Sequence, residues 1–397
     1  MSHSFSRLVC AATIGCVVAT CSTLFSEDRL TDPDRIATLV YRLNSPSFTE
    51  RNRIEQTLRD LGAQALPALR EARDSIDLEI RYRVERLIST LEAELVEQSL
   101  QRLSQGKLPE TPDVLPGWRS YLFRMGPDSE STNFYVEMVR AEPALMRSLD
   151  GPRDELRLEF ERRCTAVNLQ RSQRSGFSVS KATIAALLFV ATQPECRPSP
   201  FATPSLLAAV RQGEFAELLR NPDCPEPAKR LLAAWVVRSD AAIAIQRLNL
   251  AGEFALPEVV EIAREVLHSG VSGSQIQHAI LYLAEYGNRD ALHELEPFLD
   301  DQSRLAGRRN QNGNGFTSRV QDVALIALLA LTDQDPSDYG FRDLRENHPS
   351  LKYHPNTVGF RSEEEREAAL SAWRRWSVKN LKAVQPVPVH AVEGVRL

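Results

Sequence analysis

An all-α fold built from stacked antiparallel helix pairs is predicted for this chain by three observations. Apolar residues recur at helical spacing behind recognisable N-terminal caps, as in Ile36, Leu39, Val40 and Leu43 after Asp32-Pro33. The phrase GAQALPAL at 62–69 returns as GEFALPEV at 252–259, 190 residues later, which is five periods of 38. A further glycine-led phrase, GNRDALHELEPFL, begins at Gly287 and sets a unit of 35 residues from Gly252, a length suited to two helices and their turns. Such a hairpin exposes an apolar stripe that it cannot bury alone, so neighbours must stack into an α-solenoid.

The N-terminal helices read in order. Asp32 with Pro33 is a cap followed by proline at the first helical position. Ser47 and Glu50 form a capping box ahead of Ile54, Leu58 and Leu61, and Gly62 is placed to stop that helix. Leu66, Leu69 and Ala72 mark a short third helix that tolerates Pro67 in its first turn, and Asp77 caps a fourth along Ile80, Val84, Leu87, Ile88 and Leu91. After GEFALPEV a helix runs to Leu267, HSGVSGS turns, and a second helix carries Ile276, Ile280, Leu283 and Ala284 on one face.

Gly62 to Leu69 leading into DSIDLEIRYRVERLI resembles a HEAT repeat, in which a glycine turn, a first helix opening with Ala-Leu-Pro and a second helix opened by an aspartate and carrying an arginine recur. Asp77 and Arg81 match the last two positions, and Gly62, Pro67, Gly252, Pro257 and Gly287 match the turn and proline positions. The resemblance covers about residues 47–91 and 248–299. It implies an armadillo-like solenoid whose concave face binds another protein or an extended ligand.

Between these blocks the pattern changes. GKLPETPDVLPG reads as a linker, placed at 108–117 after N-terminal helices over 31–107. A helical middle block of irregular repeats is expected over 118–193, where Ser180–Thr192 is apolar nearly all round and so belongs at a centre. A proline-rich linker follows at 194–204, then repeats over 205–300. Residues 301–318 lack apolar period, hold two Asn-Gly pairs and are expected to form a flexible loop. C-terminal helices over 319–383 include RVQDVALIALLALT and a helix capped by Ser362 with Glu365, bearing Ala369, Trp373 and Trp376; 384–397 is a loose tail.

Residues 1–26 have the layout of an export signal: Arg7, then LVCAATIGCVVA, then the polar SEDRLTDPD. Uncleaved, Leu8–Phe25 is long enough to act as a membrane anchor. Cys21 resembles a lipoprotein acceptor, with Thr20 where that pattern has a small residue. Of six cysteines three lie in this segment; Cys164, Cys196 and Cys224 are too few for a disulfide framework, leaving room for one bridge, Cys196 to Cys224.

Chemistry-bearing motifs are sparse. His268, His278, His293, His348, His354 and His390 are scattered without metal-ligand spacing. DQDPSDYG at 333–340 offers Asp333, Asp335 and Asp338, but an EF-hand frame would need glycine and glutamate where Asp338 and Leu344 stand. No cofactor or metal is expected. A net charge of −5 favours neither nucleic acid nor an anionic membrane. Only six of the 48 basic residues are lysine, and Arg304, Arg308, Arg309 and Arg319 cluster about the 301–318 loop, which makes it a candidate polyanion-binding loop. The expectation is therefore an exported, non-catalytic scaffold whose partner is another protein, with membrane contact only through the N-terminal segment. The alternative is an enzyme or polyanion binder using 301–318 and the acidic turn 333–340.

Overall fold

The computed structural model describes residues 32–109, 112–172, 179–199, 201–238, 243–269, 273–305 and 315–381. Among these the fold is all-α, with no strand; two isolated antiparallel bridges are its sole extended pairings. The chain divides into two compact units at Leu115/Pro116.

The first unit holds α1 (Pro33–Tyr41), α2 (Phe48–Asp60), α3 (Leu66–Glu71) and α4 (Leu78–Ser104). Its caps are those the sequence specifies. Asp32 accepts from the Asp34 amide, Ser47 from Glu50, and Asp77 from Glu79 and Ile80. Gly62 sits at φ +57 just past α2, where a Cβ would be strained. Ile36, Val40, Leu43, Ile54, Leu58, Leu69, Val84, Leu87, Ile88 and Leu91 close into one buried cluster, so the 3.6-residue stripes of all four helices meet.

The second unit opens with α5 (Trp118–Met125), α6 (Ser129–Ala141), α7 (Pro143–Arg147) and α8 (Arg153–Ser172), which surround α9 (Lys181–Ala191) together with α10 (Ala202–Val210), α11 (Gly213–Arg220) and α12 (Glu226–Arg238). Helix α9 packs against α6, α7, α8, α10, α11 and α12. Every residue from Ala182 to Ala191 is consequently buried, which explains a helix without a polar face. Trp118, Tyr121 and Tyr135 pack together and, through Tyr121, edge-on against Phe189 of α9, at centroid spacings of 4.6–6.1 Å, and the hydroxyls of Tyr121 and Tyr135 donate to the Ser131 and Pro116 carbonyls, so neither is buried unsatisfied. This block is a bundle about one central helix, where sequence analysis expected irregular repeats.

From α12 onward the arrangement differs. Helices α13 (Ala244–Glu253), α14 (Val259–His268), α15 (Gly273–Tyr286), α16 (Leu292–Leu295), α17 (Val320–Leu331) and α18 (Glu363–Asn380) pack in chain order: α12 on α13, α13 on α14, α14 on α15, α15 on α17, α17 on α18. The unit predicted to start at Gly287 has only the single turn of α16 flanked by 3-10 turns as its first helix.

The two copies of the opening phrase do not fold alike. Gly62 is the left-handed residue after α2, whereas Gly252 lies inside α13, its Cα facing the ring of Tyr282 on α15. In the second copy the left-handed residue is Ala255 (φ +50), and the Leu256 amide donates to the Ala251 carbonyl at 2.8 Å, closing a Schellman turn three residues further along. Pro67 stands in the first turn of α3, while Pro257 precedes α14 in a turn. The shared letters are thus offset in structure, and Gly62 and Gly252 do different work.

Candidate functional site

The arginines predicted to line a binding loop divide. Arg308 and Arg309 lie outside the described residues. Arg304 and Arg319 face each other across an antiparallel bridge: the Leu305 amide donates to the Ser318 carbonyl at 2.8 Å and the Val320 amide to Ser303 at 3.1 Å. The flanks of the expected flexible loop are therefore paired backbone. Thr317 and Phe360 add a second bridge, their amides and carbonyls exchanging bonds of 2.9 and 3.2 Å.

Arg319 is committed. Its guanidinium grips Glu363 of α18 through two bonds of 2.9 Å. Beneath it, Arg366 of α18 is 1% exposed and reaches Asp322 of α17, 0% exposed, at 2.7 Å, while donating to the Thr317 carbonyl and hydroxyl. Asp322 also accepts from the Arg319 amide at the helix N-terminus. Burial raises its carboxyl above the ordinary aspartate range, against the pull of Arg366. The segment 315–322 and the start of α18 are thus locked by a buried ion pair with its hydrogen bonds satisfied.

The same device recurs. Arg83 and Arg86 of α4 both bind the buried Glu55 of α2. Glu142, between α6 and α7, receives two 2.7 Å bonds from Arg163 of α8 and a third from the Thr183 hydroxyl. Arg247 of α13 is buried, caps the last carbonyls of α12 at Val236 and Val237, and pairs with Glu265 of α14. Arg264 of α14 binds Glu294 of α16. Planar guanidinium suits such sites because it holds several acceptors at once and keeps its charge. Arginine enrichment therefore serves, at these sites, to stitch neighbouring helices. Sequence reasoning missed these carboxylates because each partner lies 18 to 44 positions away.

The repeat-matching residues have structural places. Asp77 caps α4 and also accepts from Asn44 at 3.1 Å, and these contacts hold its carboxyl below the usual range. Arg81 is exposed and borders a shallow depression with Arg73, Asp74, Leu78, Tyr82 and Glu85; the guanidiniums that cross to α2 belong to Arg83 and Arg86. The Gly287 amide closes α15 on the Leu283 carbonyl, where a Cβ would lie 2.3 Å from that oxygen.

In the acidic turn, Asp333 takes φ +57 at the end of α17, Asp335 caps a 3-10 turn through the Ser337 amide, and Asp333 lies 3.7 Å from Arg289. The ends of α15 and α17, with Arg289, Asn288, Asp333 and Lys352, border an open polar depression. Among the described residues, no group of three or more His, Cys, Asp or Glu side chains could hold a metal ion.

Cys164, Cys196 and Cys224 are free and buried, which corrects the bridge for which the sequence left room. Burial pushes the Cys164 and Cys196 thiols up to about 12. Residues 1–26, predicted from the sequence to direct export, lie outside the described residues, and among those described no helix is long and apolar enough to cross a membrane. The chain matches no family model, no curated protein and no solved structure.

Proposed function

We infer that this protein is an exported, non-catalytic scaffold that binds another protein through a HEAT-like helical array. The observation that carries this reading is the chain-order packing from α12 to α18, in which each helix leans on its sequence neighbours and arginine–carboxylate pairs join them. Such an array offers a long continuous surface of exposed side chains, which suits recognition of an extended protein partner. The layout of residues 1–26 supports placement outside the cytoplasm. The polyanion alternative loses support at Arg319, whose guanidinium is already taken by Glu363.

Chemical cross-linking of the full chain in intact cells, with the cross-linked positions mapped by mass spectrometry, tests this reading. One reproducible protein joined to residues within 226–381, and lost when exposed charges on that stretch are reversed, is expected. Cross-links confined to the 301–318 segment and abolished by added salt would instead favour polyanion binding. Finding the whole chain inaccessible to protease on spheroplasts would remove the export part alone.

A further inference from the structure

Between Gly340 and Glu363 the chain runs without an α-helix, yet Phe341, Leu351, Tyr353, Val358 and Phe360 are all buried. This strap is held to α15 by the Gln277 side chain, which is buried and donates to the Pro355 carbonyl at 2.8 Å. Its internal turns depend on two histidines. Nδ1 of His348 accepts from the Ser350 amide at 3.2 Å, and Nδ1 of His354 accepts from the Asn356 amide at 3.2 Å, capping the 3-10 turn Pro355–Thr357. A backbone amide can only donate, so both imidazoles must present a lone pair at Nδ1 and be neutral. The rings stand edge to face with centroids 5.7 Å apart. His278 on α15, whose own Nδ1 meets the Ser274 carbonyl at 2.8 Å, is the third imidazole of the group.

We propose that the strap 341–361 is an acid-released clasp, in which protonation of His348 and His354 breaks both turn caps and sets two imidazolium rings against each other and against His278. Loss of an Nδ1 acceptor leaves the Ser350 and Asn356 amides without their partners, while two like charges at this spacing repel. The charged groups acting on His348 are His354 and His278, cationic whenever they are charged at all; burial and these two hold its imidazole below the ordinary histidine range. Lys352 of the strap lies over the Tyr353 ring, 5.7 Å from its centroid. Glu285 of α15, Asp335 and Glu346 act on Tyr353, Asp343 is taken by Arg361, and Glu365 of α18 by Arg342 and the Arg361 amide. For His348, whose folded-state value is depressed, stability is full above the unfolded value, about 6.5, and falls as pH drops below it. Release therefore belongs to mildly acidic conditions, in a window where aspartates and glutamates are still ionised. The inference stands whether or not the protein is a scaffold.

Hydrogen–deuterium exchange of the full chain at pH 7.5 and 5.0, corrected for intrinsic exchange, tests the clasp. Peptides from 341–361 should open at least about tenfold more readily at pH 5.0, given the usual strength of a cap, while α9 and α17 keep their protection. The H348N/H354N variant supplies the control, because an asparagine side-chain oxygen can accept from the amide two residues on but cannot be protonated. It should fold and show no acid response. Equal protection of 341–361 at both pH values in the wild type would overturn the proposal, as would an undiminished response in H348N/H354N.

Discussion

Gly252→Ala separates the two copies of the repeated phrase. A Cβ at 252 would lie 2.0 Å from Cε1 and 2.7 Å from the hydroxyl oxygen of Tyr282, whose ring is buried between α13 and α15. Tyr282 cannot swing away freely, because Tyr286 stacks against it at 6.3 Å and donates to the Gly252 carbonyl at 3.4 Å. Overpacking of this kind costs about 3 kcal/mol, offset by about 1 kcal/mol from replacing glycine inside a helix, for a net loss near 2 kcal/mol. Gly62→Ala has open space around it, and its penalty is the left-handed backbone alone, about 1 kcal/mol. Denaturant unfolding read by tryptophan emission reports the 252 change, since Trp118, Trp235, Trp373 and Trp376 all lie in the second unit; circular dichroism reports both. In a Tyr282→Leu background the Gly252→Ala penalty should shrink or reverse. A Gly252→Ala variant as stable as the wild type, or one not relieved by Tyr282→Leu, would refute the close contact between α13 and α15.

Other consequences follow from named contacts. Ala255→Gly should stabilise the second unit by about 1 kcal/mol in the same unfolding assay, since Ala255 is left-handed at the end of α13. Arg366→Met strands the buried Asp322 carboxylate and should cost about 3–5 kcal/mol, with much of this recovered in the D322N/R366M double variant. Cys164 and Cys196, held up to about 12 by burial, should stay unalkylated in the native protein at pH 8, when the thiolate is scarce, and react on unfolding; Cys224 is raised in the same direction. Peptide mass spectrometry without reduction should find all three as thiols, and a Cys196–Cys224 cross-link would contradict the structure.

How far the chain could be read in advance depended on the range of the interaction. Caps at Asp32, Ser47, Asp77 and Ser362 were legible because the acceptor and the amides it serves lie within three residues. Helix α9 was legible as central because one window carries no polar face. Equivalence of Gly62 and Gly252 was misread: glycine serves a left-handed turn in one case and a bare surface for a tyrosine in the other, and letters alone do not tell these apart. Arg319 alone among the loop arginines was misread, for a related reason. Arg319 looked available beside its loop, but Glu363 lies 44 positions away and only the packing of α18 brings it within 2.9 Å. His348 and His354 show no metal-ligand spacing in the sequence; their role in the strap rests on amides two residues on, and the strap is docked to α15 by Gln277, 78 positions before Pro355.

Native-state hydrogen exchange across a denaturant series tests the chain-order array most directly. Packing in chain order predicts graded opening, with the last helix, α18, exchanging through a smaller free energy than α14 and α15, and the helices around α9 opening together as a separate unit. A single common opening free energy for every protected amide from 118 to 381 would contradict it.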